Sequence, residues 1–269
     1  MKTFLSFVLL FIIAFSYSYS FENRFQIGMD FHYEGITTKL MEMEYLMNSV
    51  PQDISSNDIS RFNRIHSFYN YQYNTGIELS YFILDNFKFT GSFGISFLNH
   101  ESYLNGGEVL DHTFSNSKPG IYYGGGISFY HDVYDKISVV FYPHIKYTLY
   151  SNVIYSDPNL NSEKLYDTDM RHSFFFYKIP VKFRYDMDFV KPSIGICYFN
   201  YLQDVKYHGL FTDDFGEVYK MDRDYLFHHN YLFGFMIGLS FEINDRTEVV
   251  LEGLITDGTS ANISFQFDI

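Results

Sequence analysis

The densest set of chemically capable side chains in this 269-residue chain lies between residues 203 and 230. Asp204, Asp213, Asp214, Glu217, Asp222 and Asp224 share that stretch with His208, His228 and His229. Clustered carboxylates bind calcium through oxygen, but these follow no fixed ligand spacing. The stretch therefore reads as a solvated acidic loop, and neither a metal nor any other cofactor is expected. Hydrolysis would need a positioned nucleophile and base. His172 beside Ser173, and His144, are available, yet no motif singles them out. An enzyme, as a rim-located protease or lipid-modifying hydrolase, ranks third among the readings below. Cys197 is the sole cysteine, which excludes an internal disulfide and a thiolate metal cluster. It reads as a small buried side chain.

A second set of charges makes sense only through the elements that carry it. Ten segments alternate apolar and polar residues with the period of a β-strand: Phe25 to Tyr33, Tyr73 to Leu84, Phe87 to Leu98, Ile121 to Tyr130 and Ile137 to Tyr150, then Phe174 to Tyr185, Lys191 to Leu202, Tyr231 to Ile243, Thr247 to Thr256 and Ala261 to Ile269. In the third, Phe87, Phe89, Phe93, Ile95 and Phe97 share one face, against Lys88, Thr90, Ser92, Gly94 and Ser96. In the second, Ile77, Leu79, Tyr81 and Ile83 share the apolar face. None of the ten apolar faces carries Asp, Glu, Lys or Arg, whereas the opposite faces hold charges, Gly and Ser. A charge facing lipid costs about 2–4 kcal/mol at the bilayer midplane, which accounts for that exclusion.

Composition agrees. Phe and Tyr make up 21% of the chain and Trp is absent, yet the mean hydropathy is slightly negative at -0.13. Abundant apolar side chains without long apolar runs are what lipid-facing strands produce. A net charge of -13 argues against nucleic acid as a partner. The expected fold is all-β: a closed antiparallel transmembrane β-barrel of ten strands, or of eight if one hairpin is misread. The segments are joined alternately by short Asp/Asn-bearing turns and by long polar stretches, about 35–70, 99–118, 151–172 and 203–230. These are expected to be periplasmic turns and extracellular loops, the loops being available to an extracellular ligand. Leu40, Met43 and Met47 fall at helical spacing and Met41, Met43 and Tyr45 at strand spacing, which favours a strand extension or cap.

Lys2, the apolar run Phe4 to Phe15 and the small residues Ser18 and Ser20 form a secretory signal. The run is shorter than the roughly 20 residues of a spanning helix. Two domains follow: a signal peptide over 1–20 and a barrel over 21–269.

The barrel interior is then polarised. Lys88, Lys146, Lys178, Lys182 and Arg184 come from segments three, five and six. Asp30, Glu34, Glu78, Glu242, Glu248, Glu252 and Asp268 come from segments one, two, eight, nine and ten, which adjoin once the barrel closes. Two readings stand: charges that pair across a narrow, filled lumen, and facing walls of a water-filled pore. The filled lumen is the expectation.

Two stretches resemble known proteins. The last nine residues alternate without a break to an apolar end, with Phe265, Phe267 and Ile269 on one face. They resemble the C-terminal strand of bacterial outer-membrane β-barrels, which implies a folding signal read by the barrel assembly machinery. The hairpin Tyr177-Lys-Ile-Pro-Val-Lys-Phe-Arg-Tyr185 and Val190-Lys-Pro-Ser-Ile-Gly-Ile-Cys-Tyr198 resembles one in the small outer-membrane β-barrel ("porin family") proteins. The resemblance covers about a sixth of the chain and implies barrel and outer-membrane location without a uniform activity. Pro180 deletes a ladder hydrogen bond, so a bulge or bend is expected there. The reading is an exported barrel in outer-membrane lipid with a structural or surface-interaction role, ahead of a narrow porin for small solutes.

Overall fold

A computed structural model describes residues 25–46, 65–104, 109–116, 119–151, 153–154, 165–212, 218–229, 233–244, 246–256 and 259–269. The segment expected as a signal, Asp213, Asp214 and Glu217 lie outside them. The strands are β1 (Phe25–Leu46), β2 (Ile65–Leu84), β3 (Phe87–Leu104), β4 (Val109–Asn116), β5 (Gly120–Tyr134), β6 (Ile137–Phe141), β7 (His144–Tyr150), β8 (Val153–Ile154), β9 (Leu165–Tyr185), β10 (Val190–Thr212), β11 (Val218–His229), β12 (Phe233–Asn244), β13 (Thr247–Ile255) and β14 (Thr259–Asp268). No helix occurs among the described residues.

Ten of these positions close a ring. In order they are β1, β2, β3, β5, β6 with β7, β9, β10, β12, β13 and β14, with β14 returning to β1. Every pairing is antiparallel, as hairpin-linked strands require. The short turns, the first described residue and the last residue meet at one rim, where Ile269 N donates to Phe25 O at 2.9 Å. There Asp188 takes a φ of 65°, and its N–H is held by Asp186 Oδ1 at 3.0 Å. Closure leaves no strand edge in the spanning zone, which a bilayer demands of any sheet.

The faces fall where lipid exclusion places them. Phe25, Met29, Phe31, Ile77, Phe93, Tyr123, Phe183, Ile194, Phe235, Ile263 and Phe267 all project outward and exposed. Ile83 does not. It is buried, because the β2–β3 register shifts between Phe82 and Leu84 and one inserted residue reverses the alternation. Pro180 also departs from expectation. The β9–β10 register runs unbroken through its pairing with Cys197. The break falls instead on the neighbouring strand, between β6 and β7, at Tyr142 and Pro143. Two residues lacking N–H groups thus sit side by side, confining the ladder defect to one place, with Tyr142 N reaching Pro180 O at 3.4 Å.

The polar stretches expected as loops are partly strand. β1, β2, β3, β9 and β10 run 18–23 residues, where about 9–11 suffice to span a bilayer. Outside lipid a strand needs no apolar face, so its polar sequence is indistinguishable from a loop. In this extension β11 pairs with both β10 and β1, from Leu202↔His228 and Thr38↔His229 upward. One strand there replaces the three (β12, β13 and β14) that separate β10 from β1 below, so the wall narrows away from the turn rim.

Candidate functional site: a closed lumen above a charged cavity

Inward-facing residues sort by height. Nearest the turn rim, Lys191 pairs with Glu242, whose side chain is 46% exposed. Gln26 Nε2 donates to Asp268 Oδ1 at 3.0 Å, and Lys88 Nζ donates to Gln26 Oε1 at 2.9 Å. Arg184 Nε donates to Ser138 Oγ at 3.3 Å, with its guanidinium 5.3 Å from the Tyr130 ring centre.

Above this rim lies a cavity of about 140 Å³ whose lining includes Asp30, Glu78, Tyr142, His144, Lys178 and Lys182. Lys182 forms an ion pair with Glu252, and Tyr142 Oη donates to the same carboxylate at 3.0 Å. Lys146 Nζ lies 2.7 Å from Glu34 Oε2, both side chains almost wholly buried. Within the charge set read from the sequence (Lys146, Lys178, Lys182, Arg184, Glu78, Glu242, Glu248 and Glu252), only Lys182 and Glu252 pair with one another. Lys146 and Glu242 take partners from outside it. Lys178 has its ammonium 5.5 Å from the Tyr142 ring centre and no ion pair among the described residues.

Above the cavity comes a layer of aromatic side chains. Tyr122, Tyr150, Phe174, Phe176, Phe199 and Tyr201 point inward and are buried. Tyr150 meets Phe174 edge-on at 5.5 Å, and Phe174 meets Tyr201 at 5.4 Å, within the preferred range for aromatic pairs. Amides lock this layer. Asn70 Nδ2 donates to Gln203 Oε1 at 2.9 Å, and Gln72 Nε2 donates to Tyr201 Oη. β2 and β10 are not neighbours, and at this height β11 comes to stand alone between β10 and β1, so both bonds join separate strands across the narrowing lumen. Tyr122 fits because Gly76 and Gly94 face it, and a methyl group on either would overlap its ring or hydroxyl.

This aromatic layer is what the sequence reading missed, since the interior was expected to be rich in Gly, Ser and charge. The signal was present. Phe174-Phe175-Phe176-Tyr177 and Tyr198-Phe199 are unbroken aromatic runs, and continuity in place of alternation marks a strand covered on both faces.

The other candidates separate. His172 is fully buried in the layer, its Nδ1 3.2 Å from Gln203 Nε2, whereas Ser173 lies on the opposite face of β9, as adjacent strand residues must. His144 lines the cavity. Cys197 is buried and free. On the acidic stretch, Lys206 Nζ lies 3.9 Å from Asp204 and 3.7 Å from Asp224, all three exposed. Among the described residues no group of three His, Cys, Asp or Glu is placed to hold a metal ion.

No family model matches the chain, and no curated protein matches its sequence. Solved structures share its barrel shape. The outer membrane protease OmpT from Escherichia coli is 8% identical, over 94% of this chain and 100% of that one, with a TM-score of 0.47. The outer membrane protein OprG from Pseudomonas aeruginosa is 9% identical, over 92% and 96%, with a TM-score of 0.46. The translocator domain of the autotransporter NalP from Neisseria meningitidis is 7% identical, over 100% and 96%, with a TM-score of 0.43. At such identities the likeness is one of barrel architecture.

Proposed function

We infer that this outer-membrane β-barrel is a closed one, which acts through its wall beyond the membrane and not by passing solutes. The observation that carries the reading is the cross-lumen layer. Asn70–Gln203 and Gln72–Tyr201 join the non-adjacent strands β2 and β10 where the wall narrows, and each of these four side chains is at most 1% exposed. Water and ions have no path through side chains packed and bonded in this way. The extension gives the protein a surface: β1 and β10 continue some 10 residues past the length a bilayer needs. Its outer face carries Lys206 beside Asp204 and Asp224, a solvated charged face suited to a polar partner outside the cell.

Export and assembly belong to the same proposal. Residues 1–20 act as a cleaved signal, so the mature protein begins near Phe21, which mass spectrometry checks. The terminal strand engages the assembly machinery and inserts the barrel into outer-membrane lipid. The closed reading is tested by planar-bilayer recording of the refolded mature protein. It should show no steady unitary conductance. A stable, ion-selective open level would overturn it in favour of a narrow porin, a reading that draws on the charged cavity alone.

A further inference from the structure

The cavity below the aromatic layer holds charges that make no direct ion pair among the described residues. Lys146 and Lys182, on the neighbouring strands β7 and β9, each have a carboxylate partner. Lys178, on β9, lies 5.5 Å from the Tyr142 ring centre and makes no direct ion pair among the described residues. On the far wall, Asp30 of β1 and Glu78 of β2 line the cavity without an ion-pair partner, and Asp30 Oδ1 is buried with no hydrogen bond. β1 and β2 lie five and four places from β9 in the ring of ten, so the uncommitted acids and the uncommitted lysine face one another across the lumen. Tyr122 closes the cavity above. It is 1% exposed, and its hydroxyl lacks any hydrogen-bond partner.

Such an arrangement recognises a molecule carrying both signs of charge. Two carboxylates on one wall accept an ammonium group, and the lysine opposite donates to a carboxylate. A cation alone would leave Lys178 unanswered, and an anion alone would leave the acids so. The cavity volume of about 140 Å³ is close to that of an engineered protein cavity, about 150 Å³, that accepts benzene. It therefore admits a ligand of on the order of six heavy atoms. Entry is from the turn rim, where Arg184, Glu248 and Gln266 are partly exposed, because Tyr122 and Phe176 seal the other side. We propose that this cavity binds a small zwitterion of the α-amino-acid type from the periplasmic side, its ammonium on Asp30 and Glu78 and its carboxylate on Lys178. Only the direction of entry rests on the closed lumen proposed above; the charge arrangement does not.

The test is titration of the folded mature protein in detergent with L-alanine, and separately with propionate and ethylamine, which each carry one of its two charges. Binding is followed by calorimetry. L-Alanine should bind saturably and at least tenfold more tightly than either half. Lys178→Gln should weaken alanine at least tenfold without weakening ethylamine, and Asp30→Asn should weaken alanine and ethylamine but not propionate. A difference in migration between unboiled and boiled samples, matching that of the parent, establishes that each variant is folded. Alanine binding no tighter than propionate or ethylamine would overturn the proposal, a comparison that needs only the parent protein. So would a folded Lys178→Gln variant that binds alanine as the parent does.

Discussion

Replacing Lys182 with Met tests whether the interior charges are buried partners or ions in water. Lys182 and Glu252 form a pair whose side chains are only 12% and 10% exposed. Glu252 also accepts from Tyr142, so removing the lysine leaves a buried carboxylate with one neutral donor. Breaking a buried pair by deleting one partner costs about 3–5 kcal/mol. Two unit charges about 4 Å apart at an effective dielectric near 20 attract by about 4 kcal/mol, which agrees. The adjacent cavity gives the stranded carboxylate some access to solvent, so we expect the lower end, about 3 kcal/mol. Lys182→Glu sets two carboxylates together and should cost more. The double variant Lys182→Met/Glu252→Gln removes both charges and should return to within about 1 kcal/mol of the parent, because replacing a whole buried pair is near neutral. The assay is equilibrium unfolding in guanidinium, with refolding into micelles. Because the chain has no Trp, far-UV circular dichroism and the gel shift of unboiled samples are the readouts. A loss under about 1 kcal/mol for Lys182→Met, or a double variant no more stable than the single one, would refute the reasoning and favour a solvated pore.

Three further outcomes follow from particular contacts. Tyr201→Phe removes only the hydroxyl that Gln72 meets across the lumen, and should cost about 1–3 kcal/mol by leaving a buried amide unsatisfied, read in the same unfolding assay. Phe265→Asp and Phe267→Asp put charge on the outward face of β14 and should lower stability by up to about 2–4 kcal/mol, less near the interface. Gln266→Ser on the inward face should assemble like the parent by heat-modifiable gel shift. Gly94→Val sets a branched side chain where the Tyr122 ring and the Gly76 backbone already lie, so it should cost about 1–3 kcal/mol or more through overpacking, visible as a reduced yield of folded protein.

Local pattern determined much of this protein. Lipid excludes charge from one side of every spanning strand, and strand side chains alternate with period two, so Phe89, Phe93, Ile95 and Phe97 had to share the outward face wherever β3 lay in the ring. The Asp/Asn turns and the uninterrupted final strand fixed the hairpin order, and with it the ten strands. Ile83 escaped because a register shift is not a property of one strand's sequence. The interior was legible only as a list of inward residues. Which wall Gln72, Glu34 or Lys182 reaches depends on how far round the ring each partner lies, and that distance exists only once β14 has closed on β1. The same holds for β11. Its sequence is polar like a loop, and it becomes wall because the taller β10 and β1 offer it two strand edges above the ends of β12, β13 and β14. Closure supplied the contacts across the lumen, and those contacts decide whether the barrel is a channel or a plug.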